Sequence, residues 1–473
     1  MISGGRGERG IFGETAARRI AVLSFAFLLF LPVSQGTVLI IVQAVCAAVA
    51  LITSLLTKRV LSAHAAAAFA LTMLIGLYGL FLGAANPGFW NAGMIFIVTP
   101  ALFFLYISVL GGRVIKDLVH TCAIMTVAVG AFILAYVGTQ TGLLPASIFP
   151  SWFLELVGAG YGEKGDASSV RFYGLSTLAA ATPMWVASLF VGRDQYLPTL
   201  KLRIMAASFG IGGAMVGGRR AIVLGLLLVP LLLWGLGRLV KWRGRTRPRT
   251  YPPALVIGGL IGLAAIAPSL PAIIAHPAIT NVFDSVSYYF SGTAQTVADD
   301  EAIRADQIDG LLDYWSTSPI FGHGLGAVVP GLVRSDRQPW QFETQYPALL
   351  MQVGLVGAIL LVGLAVTVTQ AAIKAVASRP SMRPTLVVTL VGGVAMLIAN
   401  ATNPYLQAPA HHWAIFLPLA VINYMIREPQ SPVDMDGGQA PLDCGHAETA
   451  NAQLSHARRD VAEPNFSWPH KIT

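Results

Sequence analysis

The stretch from Glu343 to Ala372, ETQYPALLMQVGLVGAILLVGLAVTVTQAA, begins with a carboxylate and then runs to its end without a charged residue. It follows a long polar segment, and it exceeds the roughly 20 mostly apolar residues that a membrane-spanning helix needs. Gly354 and Gly357 lie within it, and small residues of this kind let another element pack closely against a helix. The stretch therefore predicts a membrane-spanning helix that begins at a polar loop.

The composition of the whole chain predicts a polytopic membrane protein. Hydrophobic residues make up 55% of the 473 residues and charged residues only 11%, whereas a soluble domain carries about 25% charged residues. The net charge of +8 comes without a nucleic-acid-binding motif, so we expect the excess Lys and Arg at the cytoplasmic rim of a membrane protein and no nucleic-acid partner. The first apolar run, Ile20 to Leu31, is interpreted as a retained helix because no convincing cleavage site follows it.

The apolar runs predict an all-α fold with about twelve transmembrane helices. Their approximate bounds are 20–36, 37–57, 62–84, 91–110, 118–140, 172–192, 204–218, 220–237, 253–275, 344–372, 384–401 and 411–426. With the N-terminus in the cytoplasm, 24 of the 31 basic residues fall on the inner side and seven on the outer side. Because cytoplasmic segments carry an excess of Lys and Arg, this distribution supports the twelve-span prediction.

The segments between the spans predict the domain organisation. A cytoplasmic N-terminus covers 1–19, nine helices cover 20–275, a large external loop covers 276–343, three helices cover 344–426, and a disordered cytoplasmic tail covers 427–473. No span has Asp, Glu, Lys or Arg near its centre, where transporters and pumps usually place ionisable groups. The polar chemistry lies on the outer face, which favours an enzyme at the external membrane surface over a carrier.

The large loop carries the pattern most informative about function. Arg304 and Trp315 precede the glycine-rich run 319–326, and Glu343-Thr344 is followed after nine residues by Gly354 and after two more by Gly357. This order resembles the large-loop signature of the O-antigen ligase and O-antigen polymerase superfamily of bacterial membrane glycosyltransferases. The resemblance covers roughly 165–425. The ligases usually have His at the position of Glu343, so the match favours a polysaccharide polymerase.

The resemblance implies a fold, a location and a substrate. The fold is of the GT-C-like glycosyltransferase type, with one large periplasmic loop containing short helices, in the bacterial inner membrane. The donor is a glycan chain on undecaprenyl diphosphate, transferred with inversion to a hydroxyl of another lipid-linked repeat unit. No cofactor or metal is implied, and membrane lipid, a chain-length regulator and a flippase are the further partners. An O-antigen ligase that acts on lipid A core and an exporter of lipid-linked oligosaccharide stay open as alternatives.

Glu343 and Arg304 are the candidate catalytic residues. Glu343 could act as the general base for a sugar hydroxyl, or it could be an interfacial carboxylate paired with an outer arginine. Asp299 to Glu301 favour a helix start and Pro319 a stop, which predicts a helix with Arg304 on its apolar face. A buried cation is costly unless it is paired. Asp300 and Glu301 are the local partners, and a bound diphosphate is the functional alternative.

Further outer arginines are candidates for binding the diphosphate, because the planar guanidinium matches phosphate oxygens in pairs. Lipid phosphate or a nearby loop acid is the alternative partner for Arg219 and Arg220, of which Arg219 is favoured because it follows the small residues. The full candidate set is Arg171, Arg219, Arg220, Arg334 and Arg337. Other pocket candidates are Trp315, His323, Tyr346 and Asn403. No metal-ligand spacing is found; the adjacent His411 and His412 would point about 100° apart on a helix.

Overall fold

The computed structural model describes residues 7–32, 48, 61–140, 144–145, 148–164, 167–217, 220–239, 295–332, 336 and 338–428. In this part of the chain helices predominate. In chain order they are α1 (Gly7–Phe30), α2 (Ala63–Leu82), α3 (Phe89–Gly93), α4 (Thr99–Val109), α5 (Gly112–Gln140), α6 (Ser151–Leu156), α7 (Leu178–Phe190), α8 (Leu200–Val216), α9 (Arg220–Leu227), α10 (Val229–Leu239), α11 (Gln295–Ser316), α12 (Gln345–Ser378), α13 (Arg383–Asn400) and α14 (Trp413–Arg427). A π-helical turn, Met94–Val98, joins α3 to α4.

The described helices define a membrane protein. Five helical segments are long and apolar enough to cross a membrane: Ala63–Leu82, Phe89–Val109, Gly112–Gln140, Gln345–Ser378 and Pro380–Asn400. The pair Ala221–Leu227 and Val229–Leu239, bent by 55°, adds a sixth if it counts as one span. These six segments match six of the twelve predicted spans.

The other predicted spans are not established as membrane crossings. The runs near 172–192, 204–218 and 411–426 form helices of 13, 17 and 15 residues, which are short for a membrane span. The first predicted span falls on the second half of α1. Those at 37–57 and 253–275 lie outside the described residues, apart from residue 48. The predicted tail after residue 428 is also outside them.

Two features differ from the sequence prediction between residues 141 and 178. The strands β1 (Gly160–Lys164) and β2 (Ala167–Arg171) form an antiparallel hairpin, so the fold is not purely α-helical. After Arg171 the chain makes a 3-10 turn, Tyr173–Thr177, and α7 begins only at Leu178. The predicted span 172–192 therefore contains a helix, but its first six residues are not α-helical.

The core of the bundle centres on α7. Ten of its thirteen residues are buried, including Trp185, and it packs against α5, α8, α9 and α13. Glycines bring α5 and α8 together: a side chain at Gly130 would overlap the Phe209 backbone, and one at Gly213 would meet Gly130 at 3.0 Å. Such close approach is how apolar helices gain packing contacts inside a membrane, where lipid competes for apolar surface.

Basic side chains collect at one end of the bundle. Arg379 Nη1 donates to Tyr424 OH at 3.1 Å and to the Glu428 carbonyl at 2.9 Å, and Arg427 Nη1 donates to the Ser108 carbonyl at 3.3 Å. These contacts place the last turns of α4, α12 and α14 together. The positive-inside count assigned these residues to the inner side; that this end faces the cytoplasm stays a prediction.

The predicted span after Glu343 is a broken helix. α12 is interrupted at Gly354, where φ is 59° and ψ is −166°. At such a break, backbone groups on both sides lose their helical hydrogen-bond partners. Backbone groups of the segment 319–326 take the place of these partners. The bonds run from His323 N to Met351 O (3.0 Å), Gly324 N to Gln352 O (2.8 Å), Leu355 N to Pro319 O (3.0 Å) and Val356 N to Ile320 O (3.1 Å).

The other side of the glycine-rich segment lies on α2. Leu325 N donates to the Gly79 carbonyl at 2.8 Å. Gly324 has a positive φ of 83°, and a side chain there would collide with the backbone of Gly83 and of residue 82. The glycines of this segment therefore allow close approach to the backbones of α2 and α12. The segment thereby fixes the loop, and the helix that precedes it, to the end of the bundle.

Candidate functional site

The helix predicted around Arg304 is present as α11. It begins at Gln295, earlier than the acidic residues 299–301 suggested, and it ends at Ser316 before Pro319, as expected. Gln307 and Leu311 follow Arg304 on the same face and are buried, with 6% and 0% exposure. Leu311 packs with Phe342 and Met351 of the α12 region. The apolar face of α11 is therefore docked on the start of α12.

This docking brings the two predicted catalytic residues together. Arg304 Nε donates to Glu343 Oε2 at 3.2 Å, and the two side chains are 21% and 27% exposed. Of the two interpretations of Glu343, the pairing with an arginine is the one observed. The local partners expected for Arg304, Asp300 and Glu301, have side chains outside the described part. Because each side chain of the pair is partly exposed, both can be reached by a molecule that binds at the protein surface.

Gln307 holds the backbone next to Glu343. Its Oε1 accepts hydrogen bonds from Glu343 N (2.7 Å), Thr344 N (3.0 Å) and Thr344 Oγ1 (3.1 Å). These groups precede the first turn of α12, where backbone N–H groups lack helical acceptors. Sequence reasoning missed Gln307. The available signal was its position three residues after Arg304, which places both side chains on one face of a helix.

Trp315 and His323 have structural contacts. Trp315 Nε1 donates to the Pro319 carbonyl at 3.1 Å. The His323 ring stacks on Tyr314 with centroids 4.0 Å apart, and His323 Nε2 lies 2.8 Å from the Tyr314 carbonyl. Both residues therefore connect the end of α11 to the glycine-rich segment.

Tyr346 connects the site to the turn between α13 and α14. Tyr346 OH donates to the Leu397 carbonyl at 2.5 Å. Within the turn, Leu406 N donates to Asn400 Oδ1 at 2.9 Å, and Asn403 Nδ2 donates to Thr402 Oγ1 at 3.2 Å. The end of α13, which leads into the turn with the pocket candidate Asn403, therefore lies next to the first turn of α12. A role for Asn403 itself stays a prediction.

The structure does not place the full set of outer arginines. Arg219, Arg334 and Arg337 lie outside the described residues, and Arg220 is described only as the first backbone position of α9. Arg171 is exposed at the end of β2. In the part of the chain that the structure describes, no three His, Cys, Asp or Glu residues lie close enough to hold a metal ion. The predicted gathering of arginines on one ligand is therefore untested.

No family model matches the chain, and no curated protein sequence matches it. The fold and the site define a multi-helix membrane protein in which the polar helix α11 is docked on the broken apolar helix α12. An arginine–carboxylate pair lies at the junction of the two.

Proposed function

We propose that this chain is a glycosyltransferase that polymerises lipid-linked repeat units of an O-antigen or exopolysaccharide. The single observation that carries the proposal is the contact between Arg304 and Glu343, two residues chosen from the sequence for complementary roles in one reaction. A cation for a departing diphosphate and a carboxylate for an attacking hydroxyl act on opposite faces of one sugar, so they must line the same site. A partly exposed pair at the end of a membrane helix meets that requirement.

The reaction has a balanced form. A hydroxyl of the acceptor sugar attacks C1 of the donor sugar from the face opposite the diphosphate, and its proton passes to a Glu343 carboxylate oxygen. The C1–oxygen bond to the polyprenyl diphosphate breaks, and the diphosphate leaves with the electron pair. Attack from the opposite face inverts the configuration at C1. The leaving group needs charge stabilisation and no protonation, which arginines can supply.

The salt bridge suggests how the donor prepares the site. A diphosphate carries more negative charge than a carboxylate and offers oxygens in a geometry that a guanidinium binds in pairs. In our proposal it draws Arg304 away from Glu343, and the released carboxylate becomes available to the acceptor hydroxyl. Gln307 keeps the Glu343 backbone in place during this exchange through its bonds to Glu343 N and Thr344 N.

The proposal includes a location and partners. The site faces the periplasm from the bacterial inner membrane, and the donor is a glycan on undecaprenyl diphosphate. The energy for transfer is stored in the sugar–diphosphate bond, so the scheme requires no nucleotide. A chain-length regulator and a flippase are the protein partners that such a system would use.

Complementation of a host that lacks the chain separates the proposal from its alternatives. We expect wild type to restore long glycan on the lipid carrier, and Arg304→Ala and Glu343→Gln to leave single repeat units at normal protein levels. Asp309→Asn, an exposed change on the same helix, is the matched control and should polymerise normally. Capping of lipid A core without longer carrier-bound chains would identify a ligase. Repeat units trapped on the inner leaflet would identify an exporter, and either result would contradict the proposal.

A further inference from the structure

A second pair of chemically reactive side chains lies apart from α11, between the 3-10 turn Tyr173–Thr177 and the turn before α14. Ser176 Oγ is 2.5 Å from His411 Nε2. His411 belongs to a second 3-10 turn, Pro409–His412, and is 2% exposed, whereas Ser176 is partly exposed. The pair joins two segments that are 235 residues apart in sequence.

The hydrogen bonds define the tautomer of His411. Its Nδ1 lies 2.6 Å from the Tyr405 carbonyl, which only accepts, so Nδ1 carries a proton. Burial disfavours the doubly protonated, charged ring. Nε2 is therefore an unprotonated acceptor, and the Ser176 hydroxyl donates to it.

The Tyr173 carbonyl, 2.9 Å from Ser176 Oγ, competes for the same proton. It is farther from Ser176 Oγ than Nε2, and a carbonyl oxygen is a weaker base than an imidazole nitrogen. The Ser176 hydroxyl proton therefore lies in the hydrogen bond from Ser176 Oγ to His411 Nε2.

A second hydroxyl–histidine contact in the chain has the opposite arrangement. Thr317 Oγ1 is 3.1 Å from His323 Nε2, but that same Nε2 lies 2.8 Å from the Tyr314 carbonyl. His323 must carry its proton on Nε2 to satisfy that carbonyl, so it cannot accept the Thr317 proton there. Each pair consists of a hydroxyl and an imidazole. Of the two, only the Ser176 pair has an unprotonated imidazole nitrogen facing the hydroxyl.

We propose that Ser176 is a nucleophile activated by His411, with carboxylic esters as the class of acyl donor. An imidazole that faces a hydroxyl and is oriented by an acceptor on its other nitrogen is the arrangement that activates serine for acyl transfer. Ser176 Oγ attacks the ester carbonyl carbon while its proton moves to His411 Nε2. The carbon–oxygen bond to the alcohol then breaks, and the departing alkoxide takes the proton from Nε2. An acyl-serine remains, and a water molecule hydrolyses it by the reverse proton path.

The local structure holds both partners in place. Thr177 Oγ1 donates to the Leu29 carbonyl at 2.6 Å, which fixes the turn of Ser176 to the end of α1. The Tyr405 ring packs edge-on against the His411 ring with centroids 5.7 Å apart. Neither member of the pair depends on Arg304 or Glu343 for its geometry, so the inference stands independently of the glycosyltransferase proposal.

Covalent labelling tests the inference. Full-length protein in detergent micelles is treated with a fluorophosphonate probe, and adducts are located by mass spectrometry of peptides. We expect an adduct on Ser176 and none on Thr317. Ser176→Ala should remove it, and His411→Gln, which can accept a hydrogen bond but not a proton, should slow it at least tenfold. Thr317→Ala is the matched control and should label as wild type does.

The wild-type protein alone can overturn the inference, whether or not the variants fold. Labelling of Ser176 at the rate of an ordinary exposed serine such as Ser316, or no labelling at all, would contradict it. So would an unchanged rate in a folded His411→Gln variant. Hydrolysis of p-nitrophenyl acetate provides a second readout, and we expect it to fall with Ser176→Ala and to be unaffected by Thr317→Ala.

Discussion

Arg304 Nε lies 3.2 Å from Glu343 Oε2, although the two residues are 39 positions apart. The contact joins the middle of α11 to the start of α12, with Gln307 and Leu311 buried beside it. Separate sequence arguments had singled out each residue for its chemistry. Their contact makes them a candidate for one shared task, and it has consequences for both stability and activity.

Removing either charge should affect activity far more than stability. A partly exposed ion pair contributes about 0–1 kcal/mol to stability, because water screens the charges and side-chain entropy opposes the contact. We therefore expect Arg304→Ala and Glu343→Gln each to change the free energy of unfolding by about 1 kcal/mol or less. Thermal unfolding in detergent, with the double variant to complete the cycle, measures this. A loss several times larger would make the pair structural.

Gln307 should be more important for stability than either charged residue. Gln307→Leu leaves two backbone N–H groups and a hydroxyl without their acceptor in a buried place, which costs about 1–3 kcal/mol. Polymer formation should also fall, since the backbone of Glu343 loses its anchor. Gln345→Leu is the control, because Gln345 makes a hydrogen bond to the Phe342 carbonyl and is less buried. Equal unfolding temperatures for the two variants would contradict this role.

The loop before α12 should tolerate a methyl group at one glycine with positive φ, Gly331, and not at another, Gly324 of the glycine-rich segment. Gly324 and Gly331 have φ values of 83° and 78°, so Ala is strained at both, by about 1 kcal/mol. At Gly331 the added methyl meets open space, whereas at Gly324 it collides with the backbone of Gly83. We expect Gly324→Ala to lower the yield of monodisperse protein at least several-fold and Gly331→Ala to leave it nearly unchanged. Size-exclusion chromatography compares the two variants. Similar profiles would argue against close packing of the glycine-rich segment on α2.

At the opposite end of the bundle, Asp194 should stabilise the start of α13. Its carboxylate accepts from the backbone N–H of Tyr196, Leu197 and Thr385, and from Thr385 Oγ1. Thr385 lies in the first turn of α13, where N–H groups lack helical partners. Asp194→Ala should therefore cost about 0.5–2 kcal/mol, as lost helix caps do. Unfolding in detergent should show this loss, and Asp309→Asn should show none; equal values would contradict the capping role.

The sequence predicted the six long apolar segments that the structure describes because their signal is local. The run from Glu343 onward, the helix around Arg304 and the stop before Pro319 all depend on residues that are neighbours along the chain. The break at Gly354 was not predicted, since it depends on partners from the segment 319–326, about thirty residues away. The hairpin before α7 was missed because strands β1 and β2 are short and rich in polar and small residues.

For the site, residue chemistry predicted the members better than their contacts. Glu343 and Arg304 were chosen for their charge; pairing with an outer arginine was one of two interpretations for Glu343, but Arg304 was not named as that arginine. Gln307 was missed because a neutral amide has no charge pattern that distinguishes it from a solvated surface residue. The Ser176–His411 contact was also missed, because it joins segments whose proximity follows only from the packing of the whole bundle.

The most direct test of the central claim is the reaction itself. Purified protein is incubated with a repeat unit linked to polyprenyl diphosphate, without metal or nucleotide, and the products are separated as a ladder on a gel. We expect wild type and Asp309→Asn to produce a ladder, and Arg304→Ala and Glu343→Gln to leave the single unit. A ladder of unchanged length and rate from both site variants, folded as wild type, would contradict the assignment of this pair to glycan transfer.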